Sequence, residues 1–166
     1  MPRRDIAWTL LRELLPARAR LRNPCTRCGG PHGAIMVEGA PSVAGVSYAG
    51  DLAVVAVAHR ADGVSAIGID AELDLDPRRD AAGLRGVLGG DRDVSVREWT
   101  RVEAALKADG RGLRVDPALV RVDGDPDGWI ARVPGGGGIM GWDAAAPAGV
   151  TISVAVLRLG SSEVSC

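Results

Sequence analysis

The chain has no Phe, one Tyr and four Trp in 166 residues. With so little aromatic bulk to bury, its core has to be assembled mostly from Val, Leu, Ile and Ala, with Trp8, Trp99, Trp129 and Trp142 as the few large pieces. Apolar residues make up 46% of the chain. At this length that supplies one domain or two small lobes.

Ile6 to Leu15 carries apolar residues at helical spacing and stops at Pro16, which predicts an amphipathic helix. Residues 16–22 read as an Arg-rich connection, and Cys25-Thr-Arg-Cys28-Gly-Gly-Pro-His32-Gly33 as a turn-rich loop. Ala34 to Val37 predicts a short strand. Val43–Ser47 and Leu52–His59, around a turn at Tyr48-Ala-Gly-Asp51, predict a hairpin. Val64–Glu72 predicts another strand, with an acidic exit at Asp74 and Asp76. Residues 78–93 read as a short helix and a mobile loop, with Arg78 and Arg79 on a solvated face. Arg97–Asp109, stopped by Gly110, is the most regular helix. Ala118–Val122, Trp129–Val133 and Thr151–Leu157 predict strands, and Gly135–Gly138 a flexible turn. His59, ending an apolar strand, reads as a satisfied edge residue. The order of elements predicts an α+β fold of two lobes, residues 1–60 and 61–166, joined near residues 60–63.

A net charge of −1 gives no footprint for nucleic acid. No stretch reaches the length of a membrane span. The basic start is broken by Arg12 and Glu13 before any signal-peptide core develops. Three Cys in such a chain predict a reduced, cytoplasmic protein.

Of the twenty basic residues, nineteen are Arg and one, Lys107, is Lys. Arg is planar and always charged, whereas Lys is a compact point charge able to donate a proton. Lys107 follows Glu103 by four residues, on one face of a helix. That spacing alone also describes an ordinary Glu–Lys helix pair. Asp70 and Glu72 are two apart on a strand and share a face. If strand and helix pack together, three carboxylates and one ammonium converge, and a dry cluster of that kind calls for a cation. Oxygen donors without His select a hard divalent ion, Mg²⁺ or Mn²⁺.

Ile67-Gly68-Ile69-Asp70-Ala71-Glu72 and Trp99-(x3)-Glu103-(x3)-Lys107-(x2)-Gly110-(x)-Gly112 resemble the G-I-D-x-E and W-x-x-K-E-A-x-x-K-x-x-G-x-G signatures of 4′-phosphopantetheinyl transferases of the surfactin-synthetase type. The Cys25–Gly33 segment and Ser47-Tyr-Ala-Gly resemble that family's C-x-x-C-G-x-x-H-G-K-P and S-H-S-G. The resemblance runs from about residue 8 to 158. It implies a pseudo-dimer of two similar α+β lobes, each a small antiparallel sheet with a packed helix, with coenzyme A and Mg²⁺ in the cleft. It implies transfer of phosphopantetheine from coenzyme A to a serine of an apo acyl or peptidyl carrier protein, in polyketide, nonribosomal peptide or fatty-acid synthesis. Asp70, Glu72 and Glu103 would be metal ligands. Glu103 would also be the base and Lys107 the partner of the phosphate or leaving group. Arg27, His32, Ser47 and Tyr48 would contact coenzyme A.

The departures fall on one sub-site. Tyr48 stands for the His of S-H-S-G, which contacts the 3′-phosphate of coenzyme A. Ala34 stands for the basic residue of H-G-K-P, and Val102 for the Lys before the catalytic Glu. The N-terminal lobe is short, leaving Arg18, Arg20, Arg22 and Arg27 to compensate. An alternative is therefore a divergent protein of this fold acting on another phosphorylated ligand, or serving a non-transferase role. A reading of another class is a zinc-stabilised binding module, from Cys25, Cys28 and His32 with His59 or Cys166 as fourth ligand. The thiols also fit a redox pair or small packing residues.

Overall fold

The computed structural model describes residues 2–76, 88 and 94–159. It is an α+β arrangement of antiparallel strands with the helices α1 (Arg3–Leu14) and α2 (Val96–Asp109) among the described residues. The strands are β1 (Arg20–Arg22), β2 (Met36–Glu38), β3 (Ser42–Ala49), β4 (Leu52–His59), β5 (Val64–Leu73), β6 (Arg121–Gly124), β7 (Trp129–Arg132), β8 (Gly138–Ala144) and β9 (Val150–Arg158). β1 pairs with β2 and β3 with β4, while the last five form one antiparallel sheet in the order β5-β9-β8-β7-β6.

α1 starts three residues before the apolar pattern does, because Pro2 sets an extended entry and Arg3, Arg4 and Asp5 form a polar first turn. It buries Ala7 and Leu11, and Leu11 clusters with Leu15, with Ala44 of β3 and with Val55 and Val57 of β4. The β3–β4 hairpin turns through Gly50-Asp51 alone, since Ala49 pairs directly with Leu52. Gly50 supplies the left-handed conformation (φ 54°) such a tight loop needs.

α2 is capped by Ser95, whose hydroxyl accepts from the Glu98 amide at 3.1 Å, and ends on left-handed Gly110. Its buried face of Val102, Ala105, Leu106 and Ala108 packs with Trp129, Ile139 and Ala155 of the large sheet. Asp143 on β8 fastens the helix: it accepts from Arg101 Nε at 3.0 Å and Nη2 at 2.8 Å, from Ser153 Oγ at 3.0 Å and from Trp129 Nε1 at 3.3 Å.

Several elements differ from the expectations. Trp129 is the one Trp of the core; Trp8 and Trp99 are half-buried and Trp142 is exposed. Residues 20–22, expected as connection, form strand β1. The predicted strand at 118–122 is a 3-10 turn (Pro117–Leu119) followed by β6, because Pro117 lacks the amide a ladder requires. β8 was hidden by its glycines. Gly141 serves packing there, since a Cβ would meet the Trp129 ring at 2.2 Å. The helix and loop expected at 78–93, with Arg78 and Arg79, lie outside the described residues apart from core residue Leu88.

Candidate metal centre and cavity

Two close approaches build the site. On β5, Gly68 faces α2 with no side chain: a Cβ there would lie 2.0 Å from the Ala104 carbonyl and 2.5 Å from the Ala108 amide. The helix backbone therefore rests on the strand. The next residues on that face, Asp70 and Glu72, come up beside Glu103. Ile69 and Ala71 point the other way, into a cluster with Ala49, Ile152 and Val154. On the other flank Gly45 of β3 lets Ile69 approach, with a would-be Cβ contact of 3.1 Å. Ser47 joins the two strands: its hydroxyl donates to Asp70 Oδ1 at 3.0 Å and accepts from the Ala71 amide at 3.2 Å.

One carboxylate oxygen from each of Asp70, Glu72 and Glu103 lies within 4.8 Å of the others. Lys107 lies along this cluster. Its ammonium donates to Asp70 Oδ1 at 2.5 Å and to the Ile69 carbonyl at 3.2 Å, and is 3.6 Å from Glu103 Oε2. Asp70 is buried, 2% exposed, and with Glu103 ionised its Oδ2 meets no hydrogen-bond donor. A buried acceptor left unpaired costs about 1–3 kcal/mol. The Lys107 ammonium thus meets Asp70 and Glu103 and still leaves the inward Asp70 Oδ2 unmet, and a small divalent cation fits that deficit.

Burial and the neighbouring carboxylates also act on Glu103. Burial, then the Asp70 charge, pushes its carboxyl up from 4.5 to about 7. Lys107 opposes the rise, while a hydrogen bond to Asp70 and the Glu72 charge add to it. Glu103 therefore exchanges its proton near neutral pH, the range in which a general base works best.

Beside this cluster, a cavity of about 620 Å³ opens between α1, the loop at 31–35, β3, β5 and α2. Lys107, Ile69 and Gly68 form one wall, and Arg3, Arg4, His32 and Tyr48 line the far side. The Arg3 guanidinium lies 5.5 Å over the Tyr48 ring and donates to the Gly50 carbonyl at 2.5 Å. Arg4 donates to the Pro31 carbonyl and, at 3.1 Å, to Asn23 Oδ1. Two guanidiniums and an ammonium at opposite sides of a largely apolar cavity suit an elongated anionic ligand.

The expected site residues are thus placed unequally. Asp70, Glu72, Glu103 and Lys107 come together. Tyr48, Ala34 and His32 line the cavity. Ser47 lies beneath the cluster, holding Asp70. Arg27 is exposed and absent from the cavity lining. Of the compensating arginines, Arg18 donates to the Gly39 carbonyl and Arg22 pairs with Glu38 at 3.4 Å, and none of Arg18, Arg20 and Arg22 lines the cavity. In the sequence Arg3 and Arg4 are only the basic start of the chain, and no local pattern ties them to the site. His59 accepts from the Ala61 amide at 3.1 Å, capping the turn at Arg60–Asp62. Among the described residues no helix is long and apolar enough to cross a membrane. No family model matches this chain, and no curated protein matches it in sequence.

Proposed function

We propose that the protein transfers 4′-phosphopantetheine from coenzyme A to a serine of an apo carrier protein, in the cytoplasm and with Mg²⁺ or Mn²⁺ as cofactor. The observation that carries the reading is the meeting of Asp70, Glu72, Glu103 and Lys107, the residues of two signature-like motifs more than thirty positions apart, beside a cavity lined with cations. The lobes built on β3–β4 with α1 and on the large sheet with α2 would be the halves of a pseudo-dimer.

Asp70, Glu72 and Glu103 would hold the metal, which supplies charge neutralisation at the diphosphate. Glu103, which a bound cation would keep ionised, takes the proton of the carrier serine. The serine oxygen bonds to the pantetheine-side phosphorus as the diphosphate bridge breaks, and Lys107, within reach of both carboxylates and the cavity, balances charge on the phosphate of the departing 3′,5′-ADP and can protonate it. Arg3 and Arg4 take the place of the missing basic groups at Tyr48 and Ala34 and face the 3′-phosphate.

The test is to incubate the protein with Mg²⁺, coenzyme A and a panel of apo acyl and peptidyl carrier proteins and to read intact masses. A phosphopantetheine gain that Glu103→Gln abolishes supports the reading. If no carrier is modified, the absence of His at 48 and of a basic residue at 34 favours the alternative of another phosphorylated ligand, and calorimetric titration with other nucleotides and diphosphates follows.

A further inference from the structure

The loop between β1 and β2 forms a second group of metal-ligand side chains, well separated in chemistry from the carboxylates. Cys25 Sγ, Cys28 Sγ and a His32 ring nitrogen lie within 4.8 Å of one another. Cys28 Sγ and His32 Nε2 are already 3.0 Å apart. Donors on a tetrahedral zinc, at bonds of about 2.0–2.3 Å, sit roughly 3.3–3.8 Å from each other. The cluster is therefore within a small adjustment of a ligand set, the Cys28–His32 pair opening slightly as the ion enters.

The backbone is arranged for thiolates. The Arg27 amide donates to Cys25 Sγ and the Gly30 amide to Cys28 Sγ, each at 3.4 Å. The turn is closed by Gly29 N–H to the Cys25 carbonyl at 2.8 Å and Cys25 N–H to the Gly30 carbonyl at 2.7 Å. Gly29, directly after the second Cys, takes the left-handed conformation (φ 70°) that lets the chain fold back over both sulfurs. The amides of Arg27 and Cys28 hold the Cys25 thiol below its ordinary range, against burial, with Cys28's side chain adding to the effect. Neutral thiols used as packing would need none of this; Cys28 and His32 are exposed and pack against no core cluster.

We propose that Cys25, Cys28 and His32 bind a zinc ion, whose fourth position is taken by water. Two soft thiolates with an imidazole select zinc over the hard ion suited to Asp70, Glu72 and Glu103. Among the described residues no fourth Cys, His, Asp or Glu joins the group. His59, with its Nδ1 committed to the Ala61 amide, is not part of it. The ion closes the loop that forms one wall of the cavity: His32 lines it directly, and the Pro31 carbonyl anchors Arg4 and, at 2.9 Å, Asn23 Nδ2. The zinc thus fixes the cavity wall without depending on which ligand the cavity takes.

The test loads the reduced full-length protein with Co²⁺ in excess Mg²⁺, which occupies the carboxylates. It follows thiolate-to-cobalt charge-transfer absorption and then displaces the cobalt with Zn²⁺. One equivalent with a thiolate band is expected, and X-ray absorption of the zinc form should show sulfur at about 2.3 Å and nitrogen at about 2.0–2.1 Å. Cys28→Ser should remove most of the band. His32→Gln should weaken zinc by more than the roughly 10- to 100-fold typical of an outer-shell partner. Both positions are exposed, so circular dichroism should be unchanged. Cobalt bound without a thiolate band, no zinc uptake by the reduced protein, or a Cys25–Cys28 disulfide that re-forms in the presence of zinc overturns the proposal. Unchanged zinc affinity in His32→Gln overturns the assigned ligand set.

Discussion

Replacing Glu103 by Gln should make the metal-free protein more stable at pH 8 while destroying its response to Mg²⁺. The folded protein holds the Glu103 proton up to about pH 7, whereas the unfolded chain releases it near 4.5. Between those values the folded state binds more protons, so stability falls as pH rises. The favourable contribution is fully present below 4.5 and lost above about 7. At about 1.4 kcal/mol per pH unit, ionised Glu103 costs the fold about 3 kcal/mol, with little discount because its side chain is 20% exposed. Gln keeps the volume and carries no charge. At roughly 2–4 °C per kcal/mol for a chain of this size, Glu103→Gln should melt roughly 6–12 °C above the wild type at pH 8 in a chelator, and close to it at pH 4. Mg²⁺ at about 1,000 times Kd should reverse the order, since it then adds about 4.1 kcal/mol to the wild type, more than the variant's advantage, and nothing comparable to the variant. Scanning calorimetry at the two pH values, with and without metal, reads all of this. A wild type whose metal-free stability rises from pH 5 to 8, or a variant that melts lower at pH 8, would refute the reasoning.

Lys107→Arg should lower transferase turnover by orders of magnitude with little change in melting temperature, because the planar guanidinium cannot occupy the point between Asp70 Oδ1 and the Ile69 carbonyl that the ammonium fills; full turnover in the variant would sink this role. Arg3→Ala with Arg4→Ala should cut coenzyme A affinity by roughly a hundred-fold to ten-thousand-fold, at about 1.5–3 kcal/mol for each of the two charged hydrogen bonds. Dephospho-coenzyme A should lose less in calorimetric titration, and equal losses would mean that the 3′-phosphate lies elsewhere. Gly68→Ala should destabilise the fold by about 1–3 kcal/mol or more, since its Cβ meets helix backbone at 2.0 Å. It should also weaken Mn²⁺ binding by pushing Glu103 from Asp70, and unaltered Mn²⁺ affinity would count against the close approach as the device that sets the site.

What the sequence determined by itself was local. Spacing of two on β5 and four on α2 fixes which side chains share a face, because strand and helix periods belong to the backbone. Asp70 with Glu72, and Glu103 with Lys107, were therefore legible as pairs, as were the hairpin and the Gly110 stop. Which faces meet was decided only by tertiary structure. The pairs converge because Gly68 lets the helix backbone touch the strand, and the pattern of apolar residues carries no measure of that distance. Ser47 gains its role by reaching 23 positions along the chain to Asp70. Arg3 and Arg4 gain theirs because α1 packs beside the β3–β4 hairpin, a contact no window of sequence contains. The same limit hid β1, whose partner β2 lies beyond the 23–35 loop, and misjudged Trp142. Apolar bulk states what a residue would bury, and the folded surface around it decides whether it can.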